Sequence, residues 1–127
     1  LKIIINGGIT TQAQIAAHLA HVDGVMVGRE AYHNPMLMRD WDALFYGDHR
    51  PALDHAALVH KLHDYAAGQI AANTGTTLRH MARHYLGLMH GLNGARQWRR
   101  MLSDAALLKH NDAGLILAAW AQVAAKD

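Results

Sequence analysis

IIINGGIT at residues 3–10 and DGVMVGR at residues 23–29 are the two stretches that decide the fold of this chain. Each contains a short apolar run that stops at glycine, and the segment between them has apolar residues at helical spacing. A short apolar strand, a helix and a second short apolar strand predict a βαβ unit whose strands are parallel and buried. In such a unit Gly7-Gly8 and Gly28-Arg29 follow the strands at the same carboxyl edge of the sheet.

These glycine-bearing ends have the composition of a phosphate-binding site. Glycine allows backbone N–H groups to approach an anion closely, and the adjacent Arg29 can add a bidentate positive charge. In a (β/α)8 barrel, a phosphate site is characteristically formed by the loops after the seventh and eighth strands. Two ordinary strand-to-helix turns stay open as the alternative, because a Gly-Gly pair alone is a weak signal.

The length of the chain limits what this unit can be. With 127 residues, 51% of them hydrophobic, the chain can form a core, but a complete (β/α)8 barrel takes about 250 residues. The chain also begins in an apolar strand and not with Met, so we expect it to be the C-terminal piece of a longer protein. Without the rest of their sheet, the two strands are expected to have exposed edges and to pack on the helices or pair with another chain.

Several kinds of site are disfavoured by what the sequence lacks. Without cysteine the chain forms no disulfide, thiolate metal site or cysteine nucleophile. No apolar run approaches the roughly 20 residues that span a membrane, and the first residues do not resemble a signal peptide. His80 and His84 have a chelating spacing, but no acid or third ligand accompanies them on one face. We therefore expect a cytoplasmic protein that binds neither membrane nor metal.

Positive charge is concentrated in one part of the chain. Residues 1–64 hold five Lys or Arg against seven Asp or Glu, whereas residues 65–103 hold five arginines and no acid. The five are Arg79, Arg83, Arg96, Arg99 and Arg100. A basic stretch of this kind is a candidate binding surface for a polyanion. A solvated helix face is the alternative, against which stands the lack of any balancing acid.

The first part of the chain is predicted to contain two strands and two helices. We expect a strand over Lys2–Ile5, a helix from Thr10 or Thr11 to about Ala20, a strand over Gly24–Val27, and a helix that begins at Asn34-Pro35 and ends at Gly47. The first helix would carry Ile15, Ala16 and Leu19 on its inner face. Residues 47–53 have the composition of a linker.

From Asp54 onward the pattern predicts four helices and no strand. The first is capped by Asp54 and is expected to have Leu58, Leu62, Tyr65 and Gln69 or Ile70 on its inner face. The second begins at Thr76 or Thr77 and has Leu78, Met81, Ala82, Tyr85, Leu86 and Met89 on one face. The third has Ala95, Trp98 and Leu102 inside, and the fourth runs from Asp112 to about Ala125. Short loops between the helices favour a small bundle.

The fold class predicted for the whole chain is α/β plus all-α. Residues 1–47 would be the βαβ end of a TIM (β/α)8 barrel, which is incomplete here. Residues 54–127 would form a small helical domain, whose second and third helices carry the five arginines on the side away from their apolar residues.

Particular strings of residues resemble the tRNA-dihydrouridine synthases, specifically the bacterial A subfamily. IINGGI at residues 4–9 and VDGVMVGREAY at residues 22–32, followed by Asn34-Pro35, resemble the end of that family's flavin barrel. RHYLGLMHG at residues 83–91 and GARQWRR at residues 94–100 resemble its C-terminal helical domain. The resemblance extends through most of residues 3–104, and the GREAY and GARxWRR strings are the most specific part of it.

The resemblance implies an enzyme that uses FMN and NADPH to reduce uridines in the D-loop of tRNA, at the twentieth position and its insertion neighbour. Asn6, Gly7 and Gly8 would hold the FMN phosphate through backbone amides, and Gly28 with Arg29 would close the other side. The helical domain would bind the tRNA backbone, with Arg83, Arg96, Arg99 and Arg100 as the leading contacts and Arg79 as a further one. The family's catalytic cysteine, and its flavin-contacting lysine and histidine, come from earlier parts of the barrel. This chain would therefore supply no catalytic residue and would be inactive alone.

Two other hypotheses are open at this point. The chain could belong to another flavin or sugar-phosphate barrel enzyme, with the helices as a dimerisation domain whose arginines meet acids of a partner. It could also be a free-standing helical RNA-binding module, although such a module has no use for half a phosphate site.

Overall fold

The computed structural model describes residues 1–125 and contains two compact units, the first Leu1–Arg50 and the second beginning at Pro51. The division falls inside the predicted linker over residues 47–53. Within the described residues, no helix is both long and apolar enough to cross a membrane.

The first unit begins with the predicted βαβ arrangement. Strand β1 (Ile4–Asn6) and strand β2 (Gly24–Met26) pair in parallel, and helix α1 (Gln12–Leu19) connects them. Opposite residues are Ile4 with Gly24, Ile5 with Val25 and Asn6 with Met26. The parallel βαβ prediction is confirmed, with each strand one or two residues shorter or shifted.

A capping box fixes the start of α1. The Thr11 hydroxyl accepts a hydrogen bond from the Gln14 amide (3.1 Å), and the Gln14 side chain accepts one from the Thr11 amide (3.2 Å). This reciprocal pair satisfies two of the amides that a helix start leaves without partners. Thr11 is therefore the cap, as one of the two predicted alternatives had it.

The predicted burial of the strands and of the α1 face is mostly wrong. Ile15 is buried, but Ala16 and Leu19 are exposed, and Ile4 is 67% exposed. Two strands form a surface too narrow to cover a full helix face, and each strand has an edge without a neighbour. The exposed edges agree with the expectation for strands that lack the rest of their sheet.

The remainder of the first unit is more broken than predicted. Helix α2 (Arg29–His33) comes directly after β2, a 3-10 turn follows over Pro35–Asp40, and helix α3 (Trp41–Tyr46) ends the unit. Asn34 makes no side-chain cap, so its predicted capping role is wrong. Gly47 has a φ of +66°, which ends α3 in the left-handed region that glycine adopts without strain.

The second unit contains five helices among the described residues: α4 (His55–Ala71), α5 (Leu78–Ala82), α6 (Ala95–Met101), α7 (Ala105–Leu108) and α8 (Gly114–Ala124). A 3-10 turn at Leu86–Met89 lies between α5 and α6. Helix α8 packs against both α4 and α6. The core lies among these helices, with Val59, Leu78, Trp98, Leu102, Ile116 and Val123 as its large buried side chains.

Helix α4 begins as predicted but faces the core differently. The Asp54 carboxylate accepts a hydrogen bond from the Ala57 amide (2.8 Å) and caps the helix. The fully buried residues are Val59 and Ala66, seven positions apart, whereas Tyr65 is 58% exposed. Leu58, Leu62, Gln69 and Ile70 of the predicted inner face are half-buried. The prediction is wrong at Tyr65, where the next residue faces the core instead.

The predicted continuous helix over residues 76–89 is also interrupted. Thr77 caps α5, but the helix ends at Ala82, and the next amides bond three residues back instead of four: that of His84 to Met81 and that of Tyr85 to Ala82. The Trp98 indole N–H donates to the Tyr85 carbonyl (2.8 Å), which holds this turn against α6. The apolar positions of the stripe remain buried or half-buried, although the backbone is no longer one helix.

The last two helices differ in how well the pattern predicted them. Helix α7 was not predicted, and its cap is Asp104, whose carboxylate accepts a hydrogen bond from the Ala106 amide (2.9 Å). Helix α8 begins two residues later than predicted, and its inward residues Ile116, Ala119 and Val123 are fully buried.

Candidate functional site

The residues singled out from the sequence form two groups. The glycine edge, in the first unit, consists of Asn6, Gly7, Gly8, Gly28 and Arg29. The arginine set, in the second unit, consists of Arg79, Arg83, Arg96, Arg99 and Arg100. Each group is described within its own unit.

Strand register brings the two halves of the glycine edge together. Asn6 pairs with Met26 as the last residue pair of the sheet, so Gly7-Gly8 and Gly28-Arg29 both lie just beyond it. Paired strands are about 4.8 Å apart. The parallel arrangement therefore places both glycine-bearing segments at one edge, as the sequence predicted.

Gly7 and Gly8 leave open space beside the backbone at this edge. Their φ angles are +110° and +67°, which side-chain-bearing residues rarely adopt, and a Cβ at either position would meet no atom within 4 Å. Neither backbone N–H donates a hydrogen bond within residues 1–125. Successive amides exposed in this way can bind an anion.

The second half of the edge is built differently. Gly28 has a negative φ of −109°, and a Cβ there would make an ordinary contact of 3.6 Å with the Met26 side chain. Arg29 is exposed, and no carboxylate of the described residues lies within 4.0 Å of its guanidinium. The backbone conformation thus favours glycine at residues 7 and 8 but not at residue 28. What the second segment offers an anion is the Arg29 guanidinium, unpaired among residues 1–125.

A cavity lies elsewhere in the first unit. It has a volume of about 340 Å³ and is lined by residues of α1, β2 and α3, among them Leu19, Val25 and Trp41. The Trp41 indole N–H is buried and has no hydrogen-bond partner in the described part of the chain. None of the glycine-edge residues lines this cavity.

All five members of the arginine set are exposed. Arg79 lies on α5, Arg83 follows its last residue, and Arg96, Arg99 and Arg100 lie on α6 opposite the buried Trp98. None of them is within 4.0 Å of a carboxylate among residues 1–125. Arg50 contrasts with them, because its guanidinium pairs with Asp48 at 2.6 Å. The guanidinium groups of the set are thus available to an external anion.

Hydrogen bonds from buried groups hold the segments that carry these arginines. The Trp98 indole bond to the Tyr85 carbonyl joins α6 to the turn that follows Arg83. The Leu78 amide at the start of α5 donates to the Asn111 side chain (2.7 Å). The sequence pattern placed Trp98 in the core but gave no signal for either bond, because both join residues far apart in sequence.

The Tyr85 phenol lies half-buried beside this turn. Burial raises the pKa of Tyr85, and the nearby Tyr65 phenol raises it further. Tyr65 was predicted to be in the core and is exposed instead. The seven-residue spacing of Val59 and Ala66 is the sequence signal that could have predicted the exposure of Tyr65, because it places the adjacent residue on the buried side of α4.

Two histidines, His80 and His55, have local structural roles. The His80 Nδ1 accepts a hydrogen bond from the Thr77 amide (3.2 Å) and completes the capping box of α5. In residues 1–125 no group of three or more His, Cys, Asp or Glu side chains is arranged to hold a metal ion. His55 stacks on Trp120, with ring centroids 6.3 Å apart.

The fold and the two groups together define a class of protein: an α/β unit with a candidate phosphate-binding edge, followed by a basic helical unit. Comparison with known proteins narrows this class. The model of the dihydrouridine synthase (Dus) family matches residues 1–124. This chain therefore belongs to the dihydrouridine synthase family, which implies that it is part of a TIM-barrel protein.

Individual relatives agree with this assignment. The chain is 43% identical over 115 residues to a tRNA-dihydrouridine(20/20a) synthase of Shewanella oneidensis, covering 91% of this chain and 33% of the relative. Proteins of the same name from Escherichia coli K12 and Vibrio cholerae are 45% and 42% identical over 106 residues, which is 84% of this chain. The chain spans about a third of the length of these curated relatives.

Proposed function

We propose that the protein containing this chain is a tRNA-dihydrouridine synthase of the A subfamily, which reduces D-loop uridines of tRNA to dihydrouridine with NADPH through FMN. The observation that carries the proposal is the set of five exposed arginines without carboxylate partners, in a chain that belongs to the dihydrouridine synthase family. The names of the relatives support the twentieth position of tRNA and its neighbour as the sites of reaction.

The glycine edge is proposed to bind the FMN phosphate. The open backbone at Gly7 and Gly8 fits a phosphate, because among residues 1–125 the two amides have no partner and no side chain fills the space beside them. Asn6 precedes these amides, and Gly28 with Arg29 supplies a backbone approach and a cation from the neighbouring strand. When bound, FMN supplies the reducing equivalents that it takes from NADPH.

The arginine set is proposed to bind the phosphate backbone of tRNA near the D-loop and elbow. Arg83, Arg96, Arg99 and Arg100 are the leading contacts and Arg79 is a further one. Each guanidinium that neutralises a phosphate releases condensed counterions, so the affinity should fall steeply as salt is raised. The absence of competing carboxylates within the described residues favours this role over an internal ion-pair network.

The division of labour follows the two units. Residues 1–47 are proposed as the end of the flavin barrel and residues 54–127 as the tRNA-binding helical domain. The chain has no cysteine, so the cysteine acid that the family resemblance implies must come from another part of the protein. The chain alone is proposed to be inactive, and the whole enzyme to act in the cytoplasm, where tRNA is available.

A triple substitution tests the tRNA-binding role. In the full-length protein, Arg96→Ala, Arg99→Ala and Arg100→Ala together should weaken binding of unmodified tRNA. They should also reduce the slope of log affinity against log salt by about 2 to 3, since each phosphate contact contributes roughly 0.7–0.9. Filter binding at several salt concentrations measures both, and the flavin absorbance should be unchanged.

Arg50→Ala is the matched control, because Arg50 is already paired with Asp48. Its tRNA affinity and salt slope should equal those of the wild type. Unchanged tRNA binding by the triple variant contradicts the proposal, and a change in dimerisation instead would assign the arginines to an interface between subunits.

A further inference from the structure

Helix α5 brings two members of the arginine set to one side of a short segment. Arg79 and Arg83 are four residues apart, and the Arg83 backbone still has helical angles (φ −56°, ψ −25°), so the two lie one turn apart. Both are exposed, whereas Leu78, Met81 and Ala82 are buried. A helix of five residues is too short to be stable alone. Contacts outside α5 therefore decide where these two guanidinium groups lie.

Three backbone amides at the start of α5 have side-chain acceptors. The Thr77 amide donates to the His80 Nδ1 (3.2 Å) and the His80 amide to the Thr77 hydroxyl (3.4 Å), so both of these bonds are local. The Leu78 amide donates instead to the Asn111 side-chain oxygen, at 2.7 Å and 33 residues further along the chain. This is the shortest of the three bonds. Because Leu78 is fully buried, losing its acceptor would leave a buried N–H without a partner, which is destabilising.

Asn111 offers this acceptor from a fixed position between α7 and α8. Its φ is +52°, in the left-handed region that asparagine adopts more readily than most residues with a side chain. Its own amide donates to the Leu108 carbonyl (3.0 Å), and Leu108 and Ala113 on either side of it are buried. The bond to Leu78 therefore ties the start of α5 to the core of the second unit.

We infer that Asn111 is a positioning residue for Arg79 and Arg83: by accepting the Leu78 N–H, it fixes the start of α5 and so the place of both guanidinium groups. The inference rests on the proposed tRNA-binding function and adds a residue that touches no RNA itself. Asn111 lies beyond residues 3–104, through which the family resemblance extends, so the resemblance gives it no role. When the start of α5 loosens, only a fraction of molecules present both arginines to the phosphates, and the apparent affinity falls by that fraction.

Two substitutions at residue 111 of the full-length protein separate the bond from the backbone conformation. Asn111→Gly keeps the left-handed backbone without strain and removes the acceptor, whereas Asn111→Asp keeps an acceptor oxygen. We expect Asn111→Gly to weaken binding of unmodified tRNA by about 3- to 10-fold, the factor for one lost hydrogen bond. The slope of log affinity against log salt should fall by about 1 to 2, since each of two phosphate contacts contributes roughly 0.7–0.9. Asn111→Asp should bind within about threefold of the wild type.

Asn73→Gly is the matched control. Asn73 lies in the same unit and has the same φ of +52°, but it is exposed and its side chain makes no hydrogen bond within the described residues. Its tRNA affinity and salt slope should equal those of the wild type.

A double-mutant cycle distinguishes positioning from general destabilisation. In a protein that already carries Arg79→Ala and Arg83→Ala, adding Asn111→Gly should change the tRNA affinity by less than about twofold, because the groups that Asn111 positions are gone. In the Arg99→Ala background, whose substitution lies on α6, Asn111→Gly should still weaken binding by its full factor. Filter binding at several salt concentrations measures every variant.

The outcomes separate the inference from the proposed function. If the wild-type protein does not bind tRNA, the proposed function fails and the inference fails with it. If the wild type binds and the triple arginine variant binds more weakly, but Asn111→Gly binds normally, the inference alone is wrong. Equal losses in the two arginine backgrounds, or equal losses with Asn111→Gly and Asn111→Asp, also overturn it.

Discussion

The two units of this chain bury their apolar residues to very different extents. In the first unit only Ile9 and Ile15 are buried among the described hydrophobic residues, and Ile4 of the sheet is largely exposed. In the second unit Trp98 and Ile116 are completely buried. A helix can cover another helix along one stripe, whereas a parallel strand needs a neighbour on each edge and a cover on each face. The helical unit therefore contains its own core, and the strand pair needs further strands.

The difference in burial between the two units matches a difference in what their proposed sites would require. In its proposed role the glycine edge would need little side-chain packing, because backbone amides and one arginine would supply its chemistry. In its proposed role the arginine set would need a rigid support, because several guanidinium groups would have to meet phosphates at fixed spacing. Trp98 provides that support on the inner side of α6, opposite the arginines.

The largest effect is expected from Trp98→Ala. This change leaves a large cavity in the second unit and removes the indole bond to the Tyr85 carbonyl, so we expect a loss of about 3–5 kcal/mol in the free energy of unfolding. Urea denaturation followed by circular dichroism measures it. Leu44→Ala, at an exposed position of the first unit, is the comparison and should change the same quantity by no more than about 0.5 kcal/mol. Equal losses would mean that the two units do not differ as described.

An intermediate effect is expected from removing the helix caps. Asp54→Ala in the second unit and Thr11→Ala in the first each leave helix-start amides without a partner, at a cost of about 1 kcal/mol. Asn at residue 54 and Ser at residue 11 can still cap, so Asp54→Asn and Thr11→Ser are the controls. Denaturation midpoints measure the change, and hydrogen exchange of the Ala57 and Gln14 amides reports each cap directly. Slow exchange at these amides in the alanine variants would contradict the capping assignment.

The smallest effect is expected in the pH dependence of stability. Burial raises the pKa of Tyr85 in the folded state, with a smaller contribution from the Tyr65 phenol. The unfolded chain, with tyrosine near its ordinary pKa of about 10, releases this proton first, so the stability contributed is present below about pH 10 and is lost as the pH rises through the folded pKa.

Tyr85→Phe removes this dependence. The free energies of unfolding of the wild type and the variant should run parallel below about pH 9, and above it the wild type should lose stability faster. Urea titrations at a series of alkaline pH values measure this, with Tyr46→Phe as a control in the first unit. Parallel curves throughout the alkaline range would show that burial of the Tyr85 phenol does not affect folding.

Local signals in the sequence predicted the parts of the fold that depend on a few neighbouring residues. Thr11, Thr77 and Asp54 cap helices because each side chain reaches an amide within three residues. Gly47 ends α3 because its positive φ suits glycine. The short apolar runs ending in glycine predicted the parallel strand pair, and the alternation on α6 predicted both its buried and its exposed residues.

The errors occur where two local solutions were equally good. On α4 the stripe through Tyr65 and the stripe through Ala66 both have helical spacing, and packing against α8 selected the second. Over residues 76–89 the apolar spacing fitted one continuous helix. In the structure the helix ends at Ala82, and the Trp98 indole N–H donates to the Tyr85 carbonyl in the turn that follows. Helices α2 and α7 have five and four residues, too few to show a periodic pattern.

By itself, the sequence determined the parallel βαβ unit, the glycine edge, the caps at Thr11, Asp54 and Thr77, and the outward direction of the arginines on α6. These features depend on backbone preferences and on contacts within one or two turns, which neighbouring residues encode. Only the tertiary structure decided which side of α4 faces the core, where the helix after Thr77 breaks and how far the strands are exposed. Those outcomes depend on how much apolar area residues distant in sequence bury together. A local pattern cannot show which of several possible arrangements buries the most.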